Sequence, residues 1–323
     1  DALVFPTTNR QHDITSFFKF SKKEEEKFFN SWKYKINYFL GRLPAKVVLP
    51  IYQKPWKISD KCEIKFYDHH LCHAASACYT SGLSIDDEVL CFTLDGFGDN
   101  SAGGVWKFHK NTLKEIYRIP RNGSLGHFYG LATESLNWRH GSEEWKVMGL
   151  APYGKPVKGL LNGFHPIYEN GYLKTPYKYQ SFGRWKDHGS IHYHSKESIR
   201  MNKILKTTSK ENFAAEVQKI SEEMALNIIL PWIKKEKVKK AVFSGGFFMN
   251  VKLNQRLWEE KILEEQWIYP NPGDAGLSVG AALLYWYENN PTLQNKKLGH
   301  LYFGPSFQNK EIKEILDDRM IDY

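Results

Sequence analysis

An α/β fold with the element order βββαβαβα is what this sequence predicts, and three observations carry the prediction. Three short apolar runs separated by turn residues lie between residues 89 and 119. After residue 210, helix-period segments alternate with short strand-like runs, and glycine-rich turns close several of the strands. The composition permits such a core: 323 residues, 41% hydrophobic and 15% aromatic, fill one large domain or two medium ones and exclude a disordered chain.

Each element has its own signal. Between Lys22 and Leu40 the residues Phe28, Phe29, Trp32, Ile36 and Phe39 recur at helical spacing, and Ser21 with Glu24 offers a capping box. An amphipathic helix packed on a core is expected there. Residues 41–60 hold three prolines and read as a loop before a short strand at Glu63–Tyr67. Val89–Leu94, Gly103–Phe108 and Leu113–Ile119 are predicted as a three-strand meander, with Asp95–Asn100 as its first turn and Lys110-Asn111 as its second. A helix is predicted over Gly126–Leu136, followed by an irregular insertion, rich in Tyr, Gly and His, that extends to about residue 210. Then come a long helix from Glu211 to about Lys235, a strand at Lys240–Phe243, a helix at Asn250–Glu260, a strand at Gln266–Tyr269 and a helix at Ala275–Tyr287. This order resembles the repeating half of actin-like (ASKHA, ribonuclease-H-like) ATPases, which clamp a nucleotide between two such halves. One half is complete in this sequence and the other partial.

Bulk properties exclude several classes of partner. The balance of 45 Lys plus Arg against 36 Asp plus Glu gives a net charge of +9. The basic residues are scattered, the densest pairs sit beside acids or at helix ends, and no nucleic-acid-binding motif accompanies them, so a solvated basic surface is expected and a nucleic acid is not. Cys62, Cys72, Cys78 and Cys91 show no CxxC pair and no framework spacing, which predicts reduced thiols. No apolar run reaches the length of a membrane helix, and the first residues lack a charged leader before an apolar stretch. A cytoplasmic protein without a membrane partner is the expectation.

The sharpest local feature is Asp68-His69-His70-Leu71-Cys72-His73. His69 and His73 are four apart and followed by small residues, so on a helix both imidazoles share one face and can hold one metal ion. An isolated pair of this kind is more often structural than metal-holding, because histidine is also a common polar core residue. A third ligand is offered by Asp274 in Pro272-Gly-Asp-Ala-Gly276, at a strand-to-helix junction where an N-cap is equally wanted. Glycine-rich turns form the next element. Asp95-Gly96-Phe97-Gly98 after one strand and Ser244-Gly245-Gly246 after another expose N–H groups that can cradle phosphate, although such turns are also ordinary hairpin chemistry. Asn250 opens the next helix, either as a cap or as a contact to a nucleoside. Lys146, in the run Ser142–Gly154, can reach an anion, but a surface lysine is the commoner case. Asp187, His188, His192 and His194 in the insertion are a weaker candidate for a second metal site, because loop histidines lack a fixed register.

Six runs in this order resemble the NodU/CmcH-type O-carbamoyltransferases: His69–Ala77, Leu94–Asp99, Ser124–Tyr129, Lys146–Gly154, Ser244–Asn250 and Pro272–Gly276, within residues 64–308. The resemblance implies an actin-like fold, similar to the metal-binding domain of the enzymes that place threonylcarbamoyl on tRNA. It implies that a YrdC-like domain makes carbamoyl-adenylate from carbamoyl phosphate and ATP, and that the actin-like part passes the carbamoyl group to a hydroxyl of a small acceptor. By the same resemblance His69, His73 and Asp274 hold an iron-type divalent cation, with Asp95 close to the ion or nucleotide. Asp95, Gly96, Gly98, Lys146, Ser244, Gly245, Gly246 and Asn250 are then the nucleotide or adenylate contacts. Residues 1–84 are expected to be an incomplete first actin-like subdomain with the HxxxH motif, 85–300 a second one with an insertion at 155–210, and 301–323 the opening of a YrdC-like domain otherwise missing. The family's N-terminal Gly-His-Asp-type motif is not found before residue 60, and no general base is assigned. Two other readings stay open: an actin-like sugar kinase or ATPase, against which two imidazole ligands speak, and a non-catalytic nucleotide- and metal-binding module.

Overall fold

The computed structural model describes residues 2–5, 59, 61–176, 184–187, 190–193 and 196–323. The helix predicted at Lys22–Leu40 lies outside them, as does all but one residue of the 41–60 loop. Two short parallel strands, β1 (Ala2–Phe5) and β2 (Glu63–Phe66), precede helix α1 (His69–Thr80). The meander follows as β3 (Val89–Gly98), β4 (Ser101–His109) and β5 (Thr112–Pro120). Helices α2 (Leu125–Ser135) and α3 (Glu144–Leu150) lead into the insertion. The insertion is more regular than its sequence predicts: it forms the hairpins β6 (Ile167–Glu169) with β7 (Tyr172–Thr175) and β8 (Arg184–Asp187) with β9 (Ser190–Tyr193), then α4 (Lys196–Ile204). His188 and His194 of the second candidate metal cluster lie outside the described residues. The long helix α5 (Lys210–Glu236), β10 (Lys240–Ser244), α6 (Val251–Glu259), β11 (Glu265–Ile268) and α7 (Leu277–Asn289) complete the predicted alternation. Helix α8 (Asn309–Asp318), with a capping box from Gln308 and Glu311, buries none of its residues.

The central sheet has the order β11-β10-β3-β4-β5, with β11, β10 and β3 parallel and β3, β4 and β5 antiparallel. A meander extended by parallel strands on its first strand is the ribonuclease-H-like arrangement expected of one actin-like half. The period-2 alternation of the strands assigns the two faces. Leu90, Phe92, Leu94, Ala241 and Phe243 point into a core covered by α2 and α5. Val89, Cys91 and Val242 point into a second core covered by α1 and α7. Helix α1 carries the small run Ala74-Ala75-Ser76-Ala77-Cys78, which suits its burial between the sheet and α7. A Cβ on Gly280 of α7 would stand 1.9 Å from the Cys72 carbonyl oxygen, so the two helices touch backbone to side-chain-free backbone. Cys62, Cys72, Cys78 and Cys91 are unpaired with one another, and among the described residues no helix is long and apolar enough to cross a membrane.

One predicted turn is shorter than expected. Strand β3 continues through Asp95 to Gly98 past an irregularity in its pairing, and only Asp99 and Asn100 form the turn, with φ of +43° and +67°. Two left-handed residues in a two-residue hairpin loop match the right-handed twist of the strands.

Candidate metal centre and adjoining cavity

Three chain segments meet where β3 and β10 end side by side. At the start of α1, Asp68 is the N-cap: its Oδ1 accepts from His70 N at 2.9 Å and Leu71 N at 3.0 Å. Its Oδ2 is held by Arg118 of β5 at 3.1 Å. This cap starts the helix so that His69 and His73 fall on its inner face, and both are buried. Gly245 follows β10 with φ +98°, and a Cβ there would stand 2.1 Å from the Leu94 carbonyl oxygen, so only glycine lets the chain leave β10 this close to the paired end of β3. This close approach brings Gly246 N within 3.0 Å of Asp95 Oδ1, and Gly245 N donates to the Pro272 carbonyl at 2.8 Å, which draws in the segment that carries Asp274.

The result is a cluster of four potential ligands. His69 Nε2 lies 3.2 Å from Asp95 Oδ2 and 3.5 Å from Asp274 Oδ1, and His73 Nε2 lies 3.6 and 3.5 Å from the same two oxygens. All four ligand atoms are within 4.8 Å of one another. Ligands about 2.1 Å from a tetrahedral ion stand about 3.4 Å apart, so these separations suit one transition-metal ion with nitrogen and oxygen donors. Asp274 does not take the N-cap role its sequence position also allows: it begins a single 3-10 turn (Asp274–Gly276), α7 starts after Gly276, and neither has a side-chain cap. Its carboxylate is 54% exposed, whereas Asp95 is buried.

Without a metal the cluster is an ion-pair network. Burial pushes the Asp95 carboxyl up, yet the His69 and His73 imidazoles outweigh it and hold the group well below the usual carboxylate range. Burial disfavours the His73 cation, but the Asp274 and Asp95 carboxylates overcome this and raise the imidazole to about 9. His70, on the far side of His69, is pushed down to about 4 by burial and by the neighbouring imidazoles.

Asp95 and Asp274 also form part of the wall of a cavity of about 500 Å3. Of the residues singled out in the sequence, Gly96, Gly246 and Asn250 line it too. Asn250 is a cap as well, its Oδ1 accepting from Leu253 N at 3.1 Å and its amide paired with Gln218. The other four stand back from the cavity. Gly98 packs beneath the His69 ring, and Ser244 Oγ is buried 3.3 Å from Ser76 Oγ of α1. Gly245 makes the close approach to Leu94 described above, and Lys146 pairs with Glu143 beside the Trp138 and Trp145 rings. Sequence reasoning did not single out His127, His140 or Trp145, which the cavity exposes to a ligand. His127 lies in the Ser124–Tyr129 run, the one signal that pointed to it, and burial, with His140 and Arg121 nearby, pushes its imidazole down to about 3. The His140 ring lies over Gly130, where a Cβ would stand 2.1 Å from its Nε2.

Comparison with known proteins identifies relatives of this chain. Residues 9–283 match the family described as Carbamoyltransferase N-terminus. The uncharacterized protein MJ1058 of Methanocaldococcus jannaschii is 31% identical over 316 residues, which is 90% of this chain and 50% of that protein. The nodulation protein NolNO of Sinorhizobium fredii is 27% identical over 248 residues, 76% of this chain and 35% of its own length. The chain thus spans half or less of the length of these relatives. Among solved structures, full-length HypF in the phosphate- and nucleotide-bound form is similar over 72% of this chain and 44% of its own, with a TM-score of 0.45 and 15% identity. With a family match over most of its length and a relative at 31% identity, the chain belongs to the carbamoyltransferase N-terminal family.

Proposed function

We propose that this chain binds a divalent transition metal and an adenine nucleotide side by side and serves carbamoyl transfer from carbamoyl-adenylate to a hydroxyl of a small acceptor. The observation that carries the reading is the shared wall: Asp95 and Asp274 belong both to the ligand cluster and to the cavity. His69, His73, Asp95 and Asp274 would hold the metal, of the iron type the family resemblance implies, and it would supply Lewis-acid polarisation of a carbamoyl or phosphate oxygen. The remaining work belongs to the chain. Gly96 and Gly246 keep side chains out of the wall beside Asp95, which lets a phosphate or carbamoyl group approach the backbone. Phe97, Phe247 and Met249 give the cavity an apolar wall that limits water around the reacting groups. Carbamoyl phosphate and ATP enter the scheme through a YrdC-like domain that forms the adenylate. The two imidazoles favour this scheme over a magnesium-dependent sugar kinase, whose metal prefers oxygen donors.

Elemental analysis and calorimetry test the reading together. The purified chain is expected to carry close to one transition metal and to bind AMP, and His73→Ala to lose the metal. Full metal occupancy in His73→Ala, or no AMP binding by the metal-loaded chain, would refute it.

A further inference from the structure

We infer that Asp99 is a positioning residue for the metal centre, holding the His69 backbone in register with Asp95. The inference rests on the metal-binding part of the proposed function. Three residues of one hairpin act on the centre. Asp95 supplies a ligand oxygen. Gly98 leaves room for the His69 ring, since a Cβ there would fall 2.2 Å from its Cγ and Cδ2. Asp99 Oδ2 accepts from His69 N at 2.9 Å.

An aspartate in a left-handed turn is ordinary on its own, because Asn and Gly serve such a turn equally well. The turn does not require an aspartate that is only 9% exposed and has a carboxylate oxygen on the backbone of a candidate ligand residue. A helix start leaves several N–H groups without intrahelical partners. Asp68 takes those of His70 and Leu71, and Asp99 takes that of His69. The first turn of α1 is therefore gripped from two sides. Arg118 of β5 anchors Asp68, and the β3–β4 turn anchors His69 itself. Because Asp95 and Asp99 sit at the same end of one hairpin, the Asp99 bond ties the His69 backbone to the strand end that carries Asp95. A metal site tolerates misplacement of only about 0.5 Å in its ligands, so this register is the quantity that Asp99 controls.

Three substitutions in the full chain separate the clamp from the turn, with Co2+ as the probe. Asp99→Gly keeps a left-handed turn and removes the clamp. Asp99→Asn keeps an oxygen for the His69 N–H, and Gly98→Ala pushes a methyl into the His69 ring. Affinity is measured by chelator competition, ligand geometry by the visible d–d absorption of bound Co2+, and fold by the melting midpoint of the metal-free protein. Asp99→Gly and Gly98→Ala are expected to weaken Co2+ binding about 10- to 100-fold, the usual cost of losing an outer-shell partner, with an altered absorption band. Asp99→Asn should lose clearly less. Wild-type affinity and spectrum in Asp99→Gly would overturn the inference, as would a lowered melting midpoint with no change in affinity. Equal losses in the Asn and Gly variants would also overturn it, by assigning the effect to charge. If Asp99→Gly does not fold, the Asn and Ala variants carry the test. If the wild-type chain takes up no Co2+, the metal centre itself falls, and the role of Asp99 with it.

Discussion

Replacing Gly246 by alanine is expected to weaken metal binding although Gly246 is not a ligand. The new methyl would stand 2.8 Å from Asp95 Oδ1, closer than a carbon and an oxygen sit without repulsion, and Gly246 N donates to that same oxygen at 3.0 Å. The oxygen has to move, and because a carboxylate is rigid its other oxygen moves with it. That other oxygen faces His69 Nε2 at 3.2 Å and His73 Nε2 at 3.6 Å. Disturbing an outer-shell contact to a ligand costs about 10- to 100-fold in metal affinity, or about 1.4–2.8 kcal/mol. Apart from its chain neighbours, Asp95 is the only described residue within 4 Å of the added methyl, so the melting temperature of the metal-free protein should stay near that of wild type. Gly246→Val adds bulk toward the cavity and is expected to abolish AMP binding as well. Calorimetric titration of metal-free protein with Co2+, and of the loaded protein with AMP, reads both effects. Gly246→Ala that binds Co2+ as tightly as wild type would refute the claim that this glycine holds the Asp95 carboxylate in place.

The metal-free protein should show a pH window of stability. His73 has its folded value raised from 6.5 to about 9, so its contribution is present in full below pH 6.5 and is lost as pH rises through about 9. The shift corresponds to at most about 3 kcal/mol. Asp95 is lowered in the fold, so its contribution is lost at the acid end. Both belong to one ion-pair cluster and count once. Denaturant midpoints that fail to fall between pH 7 and 10 in wild type relative to His73→Ala would contradict this. Gly280→Ala should destabilise the fold by about 1–3 kcal/mol through overpacking, since its Cβ would stand 1.9 Å from the Cys72 carbonyl oxygen, and an unchanged midpoint would show that α1 and α7 can separate freely.

Much of the fold was legible because its signals are local. The alternation in Val89–Leu94, the turn at Lys110-Asn111 and the helical period of Glu211–Lys235 depend only on residues a few positions apart, and the observed elements follow them closely. The insertion was misread as irregular because its hairpins β6–β7 and β8–β9 are short, and strands of three or four residues carry too few positions to reveal a period. Lys146 reads as an anion contact, yet its side chain pairs with Glu143 three residues earlier, the i,i+3 partner that helical spacing offers.

For the site, the division follows from what each residue's role depends on. The sequence by itself determined that His69 and His73 share a helix face, because a spacing of four sets that whatever lies opposite, and it determined that glycines occupy the strand ends where backbone must approach backbone. Only the tertiary structure decided that Asp274 faces the imidazoles rather than capping α7, that Asp95 turns one oxygen to the imidazoles and the other to Gly246 N, and that Asp99 reaches the His69 backbone. Each of these depends on the meeting of segments far apart in the chain, and that meeting is set by the parallel pairing of β3 and β10 up to Gly245 and by the close packing of α1 on α7 rather than by any pattern within one segment.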